Sequence, residues 1–470
     1  MNRTSLLLAT AAVLALVAGV VGLPRQKDTS HTVARPGETP TGVVLPPVTA
    51  KDGALTLTGK LSGAYLMAGQ SEAYAVLTAR ADQPREVKRV PVSLALVIDR
   101  SGSMRGQKLT DAKQAARLLV QRLGEEDRLA LVHYGSDVRV FPSQLVTDEA
   151  RQQMLAFVDA IEDEGATNIS GGMQAAAQEL RPYVKSFRVS RLLLLSDGHP
   201  TEGLVEDREL LQLADNYQRE GMTVSGLGVG DEFNERLMRG LAEQGGGFYG
   251  YIQDSEKLAD ILRRELEQAA GTLARGVALR LELPEGVVDA EVMGVSTRRE
   301  GRTLVVPLYD LAGGQEVQVV VKLTLALETT SADRTVLGVK LRYQDVEADR
   351  LVEVALALAA KVTEDEEEVR SHLDQEVRVH AVRALGAREM QAAAEEMKRG
   401  NRQKALGMLD NARTLFGSSA DALAGELADV DRTKAAYLNA QDETSVKREA
   451  LQLHRKSLKT FGQNNSYGTD

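Results

Sequence analysis

The 470-residue chain contains no cysteine, so disulfide bridges, thiolate metal sites and cysteine nucleophiles are excluded whatever the compartment. Stability has to come from packed cores. Nor is there an excess of positive charge: 57 lysines and arginines stand against 67 aspartates and glutamates, a net charge of -10 with a pI near 5.4. A nucleic-acid binder needs a clustered positive surface to neutralise phosphates, so nucleic acid is not an expected partner. Hydrophobic residues at 43% and charged residues at 26% indicate neither wholesale disorder nor a polytopic membrane protein. At roughly 100–200 residues per domain, the length predicts two to four folded units.

What is present begins with a compartment signal. Arg3 precedes an apolar run from Leu6 to Gly22, followed by Pro24, Arg25 and Lys27. As a helix the run would reach about 25 Å at roughly 1.5 Å per residue, slightly short of a hydrocarbon core of about 30 Å. Residues 1–24 therefore read as a signal peptide or a membrane anchor, with Val20-Val21-Gly22 a passable cleavage site and no cysteine for a lipid. Either way the bulk is expected outside the cytoplasm, in the periplasm or cell envelope or anchored in the inner membrane. Residues 25–53, rich in Pro, Thr and Gly, read as an exposed linker.

Residues 54–90 alternate apolar and polar positions, as in Ala54-Leu55-Thr56-Leu57-Thr58, and the same texture returns over 271–362, for example in Val277–Leu283 and Val317–Leu323. Between them, residues 91–270 alternate strands and helices. Strands are predicted at Ser93–Ile98, Leu129–Tyr134, Arg191–Leu195 and Thr223–Val229. Helices are predicted at Lys108–Leu123, Asp148–Ile161, Gly172–Val184, Asp207–Glu220, Asn234–Gln244 and Ser255–Leu266. The expected architecture is an α/β domain, a doubly wound and mostly parallel sheet, inserted into a β-sandwich whose strands come from both sides of it. Residues 363–462 read as helical: the acidic Glu364–Glu368 suits a solvated first turn, and Met390, Ala393, Ala394 and Met397 share one helical face, as do Ala405, Leu406, Leu409 and Ala412. These stripes are packing surface of a helix hairpin broken at Gly400-Asn401. Residues 463–470 read as a disordered tail.

The chemistry lies in Leu94-Ala95-Leu96-Val97-Ile98-Asp99-Arg100-Ser101-Gly102-Ser103-Met104. A buried strand ends in a carboxylate, and hydroxyls follow at every second position. In open α/β sheets ligands bind at the carboxyl ends of the strands. Two more oxygen donors occur at equivalent loop positions, Thr167 in Gly165-Ala166-Thr167-Asn168 and Asp197 in Leu195-Ser196-Asp197-Gly198. Asp99, Ser101, Ser103, Thr167 and Asp197 form a hard donor set without nitrogen or sulfur, suited to Mg²⁺, with Mn²⁺ or Ca²⁺ as alternatives, and poor for zinc or copper. Only two of the five are anionic, so a dication held by them stays electrophilic. A carboxylate from a partner protein that replaced a bound water would supply the missing negative charge. His199, on the loop after Asp197, and Asn168, beside Thr167, are placed on the partner-binding rim.

These three segments, in this order, resemble the metal-ion-dependent adhesion site of the von Willebrand factor A domain family, and the resemblance covers residues 91–270. It implies that Ser101, Ser103 and, with ligand bound, Thr167 coordinate Mg²⁺ directly while Asp99 and Asp197 act largely through water. The flanking strands and helical tail resemble exported bacterial members whose sandwich is related to that of inter-alpha-trypsin inhibitor heavy chains. The function so implied is non-enzymatic: metal-dependent binding of a protein that presents an acidic side chain. One alternative is a structural scaffold whose metal only orders the loops and whose helical tail recruits partners. Another is a hydrolase forming an aspartyl phosphate at Asp99, although a second acid is wanted two positions on, where Ser101 stands. Ser101 and Ser103 could also serve simply as helix caps. Gly226-Leu227-Gly228-Val229-Gly230 mimics a dinucleotide fingerprint without its third spaced glycine and reads as a tight strand exit. No Gly-x-Ser-x-Gly elbow occurs, and neither His133 nor His199 has an evident nucleophile partner.

Overall fold

The computed structural model describes residues 45–83, 91–187, 189–197, 199–230, 233–252, 264, 267–440, 443–460 and 466–467. The apolar run at 6–22 and most of the helix expected at 255–266 lie outside them. Among the described residues no helix is long and apolar enough to cross a membrane.

Four strands come first: β1 (Val48–Asp52), β2 (Leu55–Leu61), β3 (Tyr65–Met67) and β4 (Gly69–Ala81). The linker expected to reach residue 53 thus ends earlier, because Val48–Asp52 pairs with β2 across its whole length. The α/β unit follows as β5 (Val92–Asp99), α1 (Gln107–Arg122), β6 (Arg128–Tyr134), β7 (Val138–Leu145), α2 (Asp148–Asp159), α3 (Ile169–Leu180), β8 (Val189–Ser196), α4 (Asp207–Arg219), β9 (Met222–Val229), α5 (Glu235–Gly245) and β10 (Gly246–Ile252). Eight strands succeed it: β11 (Thr272–Glu282), β12 (Val287–Val292), β13 (Arg298–Glu300), β14 (Thr303–Pro307), β15 (Leu311–Ala312), β16 (Glu316–Leu327), β17 (Thr330–Asp345) and β18 (Arg350–Thr363). The chain continues through α6 (Glu366–Ser371), α7 (Gln375–Lys398), α8 (Arg402–Gly417), α9 (Ala424–Asn439) and α10 (Glu443–Thr460) to a two-residue strand, β19 (Ser466–Tyr467).

The central sheet runs β19-β10-β9-β8-β5-β6-β7, parallel except for β7, which returns antiparallel along β6. Every residue of β5, β8 and β9 is buried, as strands covered by helices on both faces must be. One layer is formed by α1 and α2, with Leu109, Ala112, Ala116 and Leu119 packed on Leu96, Ile98 and Leu195. The other is formed by α3, α4 and α5. Helix α3 can approach closely because it is built of small residues. A Cβ added at Gly172 would lie 2.5 Å from the Tyr134 ring and 3.0 Å from Val97. Gly226 and Gly228 lie inside β9, not at its exit, and their bare Cα atoms admit the Met238 backbone and the Phe233 ring, where an added Cβ would come within 2.4 and 2.2 Å.

The remaining strands make two sheets, β1-β2-β4-β16-β12 and β13-β14-β11-β17-β18-β3, facing each other across one apolar core that includes Leu57, Leu77, Val319, Leu281 and Leu341. Since β4 precedes the α/β unit and β16 follows it, and the two pair over twelve positions from Glu316 with Arg80 to Leu327 with Gly69, the unit is an insertion in the sandwich. Its attachment is a buried polar knot. Arg191 lies 3.4 Å from Asp310, whose carboxylate also accepts from Thr223 Oγ1 (2.7 Å) and the Gly276 N–H (2.9 Å). Arg191 and Thr223 stand at the amino ends of β8 and β9, so the sandwich grips the end of the sheet opposite the ligand-binding end. Helix α7 covers the outer face of the five-stranded sheet, in one apolar core with Tyr74, Val76, Met293 and Val320, and α8 to α10 extend that core on its far side.

Candidate metal centre

At the carboxyl end of the sheet, β5 stops at Asp99, which is fully buried. The chain then turns through Gly102–Met104, anchored by the buried Met104 side chain, with Ser101 buried and Ser103 exposed. The Ser101 N–H donates to Asp99 Oδ1 (2.8 Å), and the Ser101 and Ser103 hydroxyl oxygens are 3.1 Å apart. From the end of β8, Ser196 Oγ donates to Asp99 Oδ2 (2.6 Å), and Ser103 Oγ donates to Asp197 Oδ1 (2.7 Å). Four of the five expected residues are therefore joined directly. Thr167, also buried, is brought to the group by its loop: the Gly102 N–H donates to Gly165 O (3.1 Å), the Thr167 N–H to Thr201 Oγ1 (2.9 Å), and the Thr201 N–H to Thr167 O (3.0 Å).

Neither hydroxyl is a helix cap, because the cap of α1 is Gly106 and no side chain bonds the amino end of that helix or of the preceding turn. Asn168, by contrast, is half-buried and caps α3, its Oδ1 accepting from the Gly171 N–H (2.9 Å) and Ser170 Oγ (3.1 Å). His199 is exposed beside Asp197.

The electrostatics of Asp99 are set by its burial. Burial, and secondarily the Asp197 carboxylate, push the Asp99 carboxyl above its ordinary range, against the lowering effect of its bonds from Ser101 and Ser196. The Tyr134 hydroxyl is pushed well up by burial and the Asp99 charge. Among the described residues no three His, Asp or Glu side chains gather around a point, so a cation needs hydroxyl donors as well. The donor set fits one. Two hard hydroxyl oxygens 3.1 Å apart, beside the buried Asp99 and Asp197 carboxylates, are donors of the kind that Mg²⁺, Mn²⁺ or Ca²⁺ takes.

Two contributors are absent from the donor pattern read in the sequence. Ser196 orients Asp99, and Lys108, one turn further on in α1, reaches back so that its Nζ lies 2.5 Å from Asp197 Oδ2 and 3.2 Å from Ser103 O. Neither residue carries a signal in the spacing of the oxygen donors. Arg100 points elsewhere, into an ion pair with Asp137 and another with Glu164 (3.2 Å). The enzymatic alternatives find little support. Both oxygens of Asp99 are engaged and inaccessible, and His133 is held down to about 4 by burial and by Arg100 and Arg139, its ring packed 5.1 Å from that of Phe157.

Residues 93–264 match the von Willebrand factor type A domain. The α/β unit has the von Willebrand factor type A fold. An uncharacterized protein of Synechocystis is 29% identical over 339 residues, 69% of this chain and 78% of its own. A human inter-alpha-trypsin inhibitor heavy chain is 29% identical over 212 residues, 44% of this chain but only 24% of the heavy chain, so this chain spans about a quarter of that relative. Among solved structures, a von Willebrand factor type A protein from Catenulispora acidiphila superposes with a TM-score of 0.67 at 18% identity, covering 87% of this chain and 98% of that one. The shared fold therefore extends past the A domain into the sandwich and helices.

Proposed function

We propose that this protein is a non-enzymatic, divalent-cation-dependent binder of other proteins in the cell envelope. Asp99, Ser101, Ser103, Thr167 and Asp197 hold Mg²⁺, or Mn²⁺ or Ca²⁺ in its place, and an acidic side chain of the partner completes the coordination. The observation that carries this reading is the pair of serine hydroxyls 3.1 Å apart, backed by two buried carboxylates, with Ser103 facing solvent. When bound, the ion supplies Lewis acidity toward an anionic oxygen. The residues do the rest: Asp99 fixes the Ser101 backbone, Asp197 fixes the Ser103 hydroxyl, and burial of both carboxylates favours a cation over water. The exposed His199, two residues after Asp197, and the half-buried Asn168, next to Thr167, supply rim surface. Envelope location rests on the apolar run at 6–22 and the basic residues that flank it.

Pull-down from envelope extract with the immobilised protein tests the reading. Capture should require Mg²⁺ and be lost in chelator and with Asp99→Ala. Capture that persists in chelator but fails when residues from 363 onward are removed would favour the scaffold alternative. Covalent label trapped on Asp99 from a phosphate donor would favour the hydrolase.

A further inference from the structure

Lys108 occupies a position that local physics disfavours. It lies in the first turn of α1, where the helix dipole prefers negative charge, and that turn carries no acidic residue. Its contacts are nonetheless specific: Nζ donates to Asp197 Oδ2 and to Ser103 O, and the side chain is two-thirds covered. Gly230, with φ of 82°, lies against its stem, and a Cβ there would come within 2.7 Å of Lys108 Cε. The loop after β9 thus leaves room for this lysine to reach the site.

We infer that Lys108 sets the charge balance of the metal centre so that cation and anionic partner bind together and neither binds well alone. The inference rests on the cation-binding reading given above. Asp99 and Asp197 together formally match the charge of a dication, so without a further cation the loaded centre would draw an anion through the ion's Lewis acidity alone and not through net charge. Lys108 offsets one of the two carboxylates, so the loaded centre carries one net positive charge, which a single partner carboxylate neutralises. The other nearby cations do not enter this count. Arg100 is paired with Asp137 and Glu164, and Arg105 with Asp163 at 2.8 Å. The same lysine repels an incoming dication, which lowers affinity for the free ion and raises selectivity for the ion plus its ligand.

The test titrates Mn²⁺ alone, and then N-acetyl-aspartate amide in saturating Mn²⁺, into the full chain as wild type, Lys108→Met and Lys108→Arg. For Lys108→Met we expect Mn²⁺ affinity to rise about tenfold or more and the aspartate probe to bind several-fold more weakly; Lys108→Arg should behave as wild type. Unchanged or weaker Mn²⁺ binding by Lys108→Met would overturn the inference, since a merely positioning lysine would lose affinity when removed. Asp99→Ala separates the two levels. If Asp99→Ala abolishes Mn²⁺ binding while Lys108→Met leaves it unchanged, only the role of Lys108 falls. If Asp99→Ala binds as wild type, or no form binds, the cation site itself falls with it.

Discussion

Ser103 Oγ donates to Asp197 Oδ1 across 2.7 Å, joining the loop after β5 to the loop after β8, two segments 94 residues apart in the chain. The bond ties the placement of a neutral donor to that of an anionic one, so the two move as a unit. Ser103→Ala removes one proposed donor and frees the Asp197 oxygen at once. We expect it to weaken Mn²⁺ binding by at least tenfold with little change in thermal unfolding, because Ser103 is exposed. Isothermal calorimetry beside circular dichroism checks both halves.

Asp99 carries the second prediction, through the sign of its shift. Burial raises its folded-state pKa above the unfolded value, so its contribution to stability is fully present below the unfolded pKa and is lost as pH rises through the folded one. Wherever the group is ionised without a cation, it works against the fold. Asp99→Asn should therefore raise the melting temperature at neutral pH in chelator, lose most of that advantage at acid pH, and abolish the further rise that Mg²⁺ gives to wild type. A variant less stable than wild type at neutral pH in chelator would contradict this.

Helix α3 reaches the site only because Gly172 lets it lie against Tyr134 and Val97. Gly172→Val should overpack this contact and cost about 1–3 kcal/mol, read as a lower urea midpoint. It should also weaken metal binding, since α3 begins at Ile169, two residues after Thr167.

The buried pair of Arg191 and Asp310 supplies a fourth test. Arg191→Met leaves the Asp310 charge uncompensated in the interior, and we expect a loss of about 3–5 kcal/mol. Adding Asp310→Asn should restore part of it, because Thr223 and Gly276 still bond that side chain. Equilibrium unfolding of the single and double variants measures the recovery.

The strands of the A domain were legible because β5 and β8 are apolar on both faces, and its helices because their apolar stripes repeat with the helical period. The strand β7 was not. Val138–Leu145 alternates poorly, is half-exposed and contains Pro142, and it is held by pairing with β6. The same holds for β10, whose Gly246 and Gly247 have weak strand preference but fit against the Val224 backbone, where a Cβ at Gly247 would meet a carbonyl at 2.2 Å. In the site, the oxygen donors could be read from residue type and spacing. Lys108 could not, because its role depends on a side chain reaching back over a turn, and Ser196 could not, because its bond is to a strand distant in sequence.

The measurement that bears most directly on the central claim is calorimetric titration of Mg²⁺ into the protein, wild type beside Asp99→Ala and Thr167→Ala, with and without a peptide carrying one free aspartate. Wild type should bind one ion, Asp99→Ala none and Thr167→Ala less tightly, and the peptide should tighten the wild-type affinity. Binding that is absent in wild type, or identical in all three proteins, would contradict that claim and leave these residues as elements of loop structure alone.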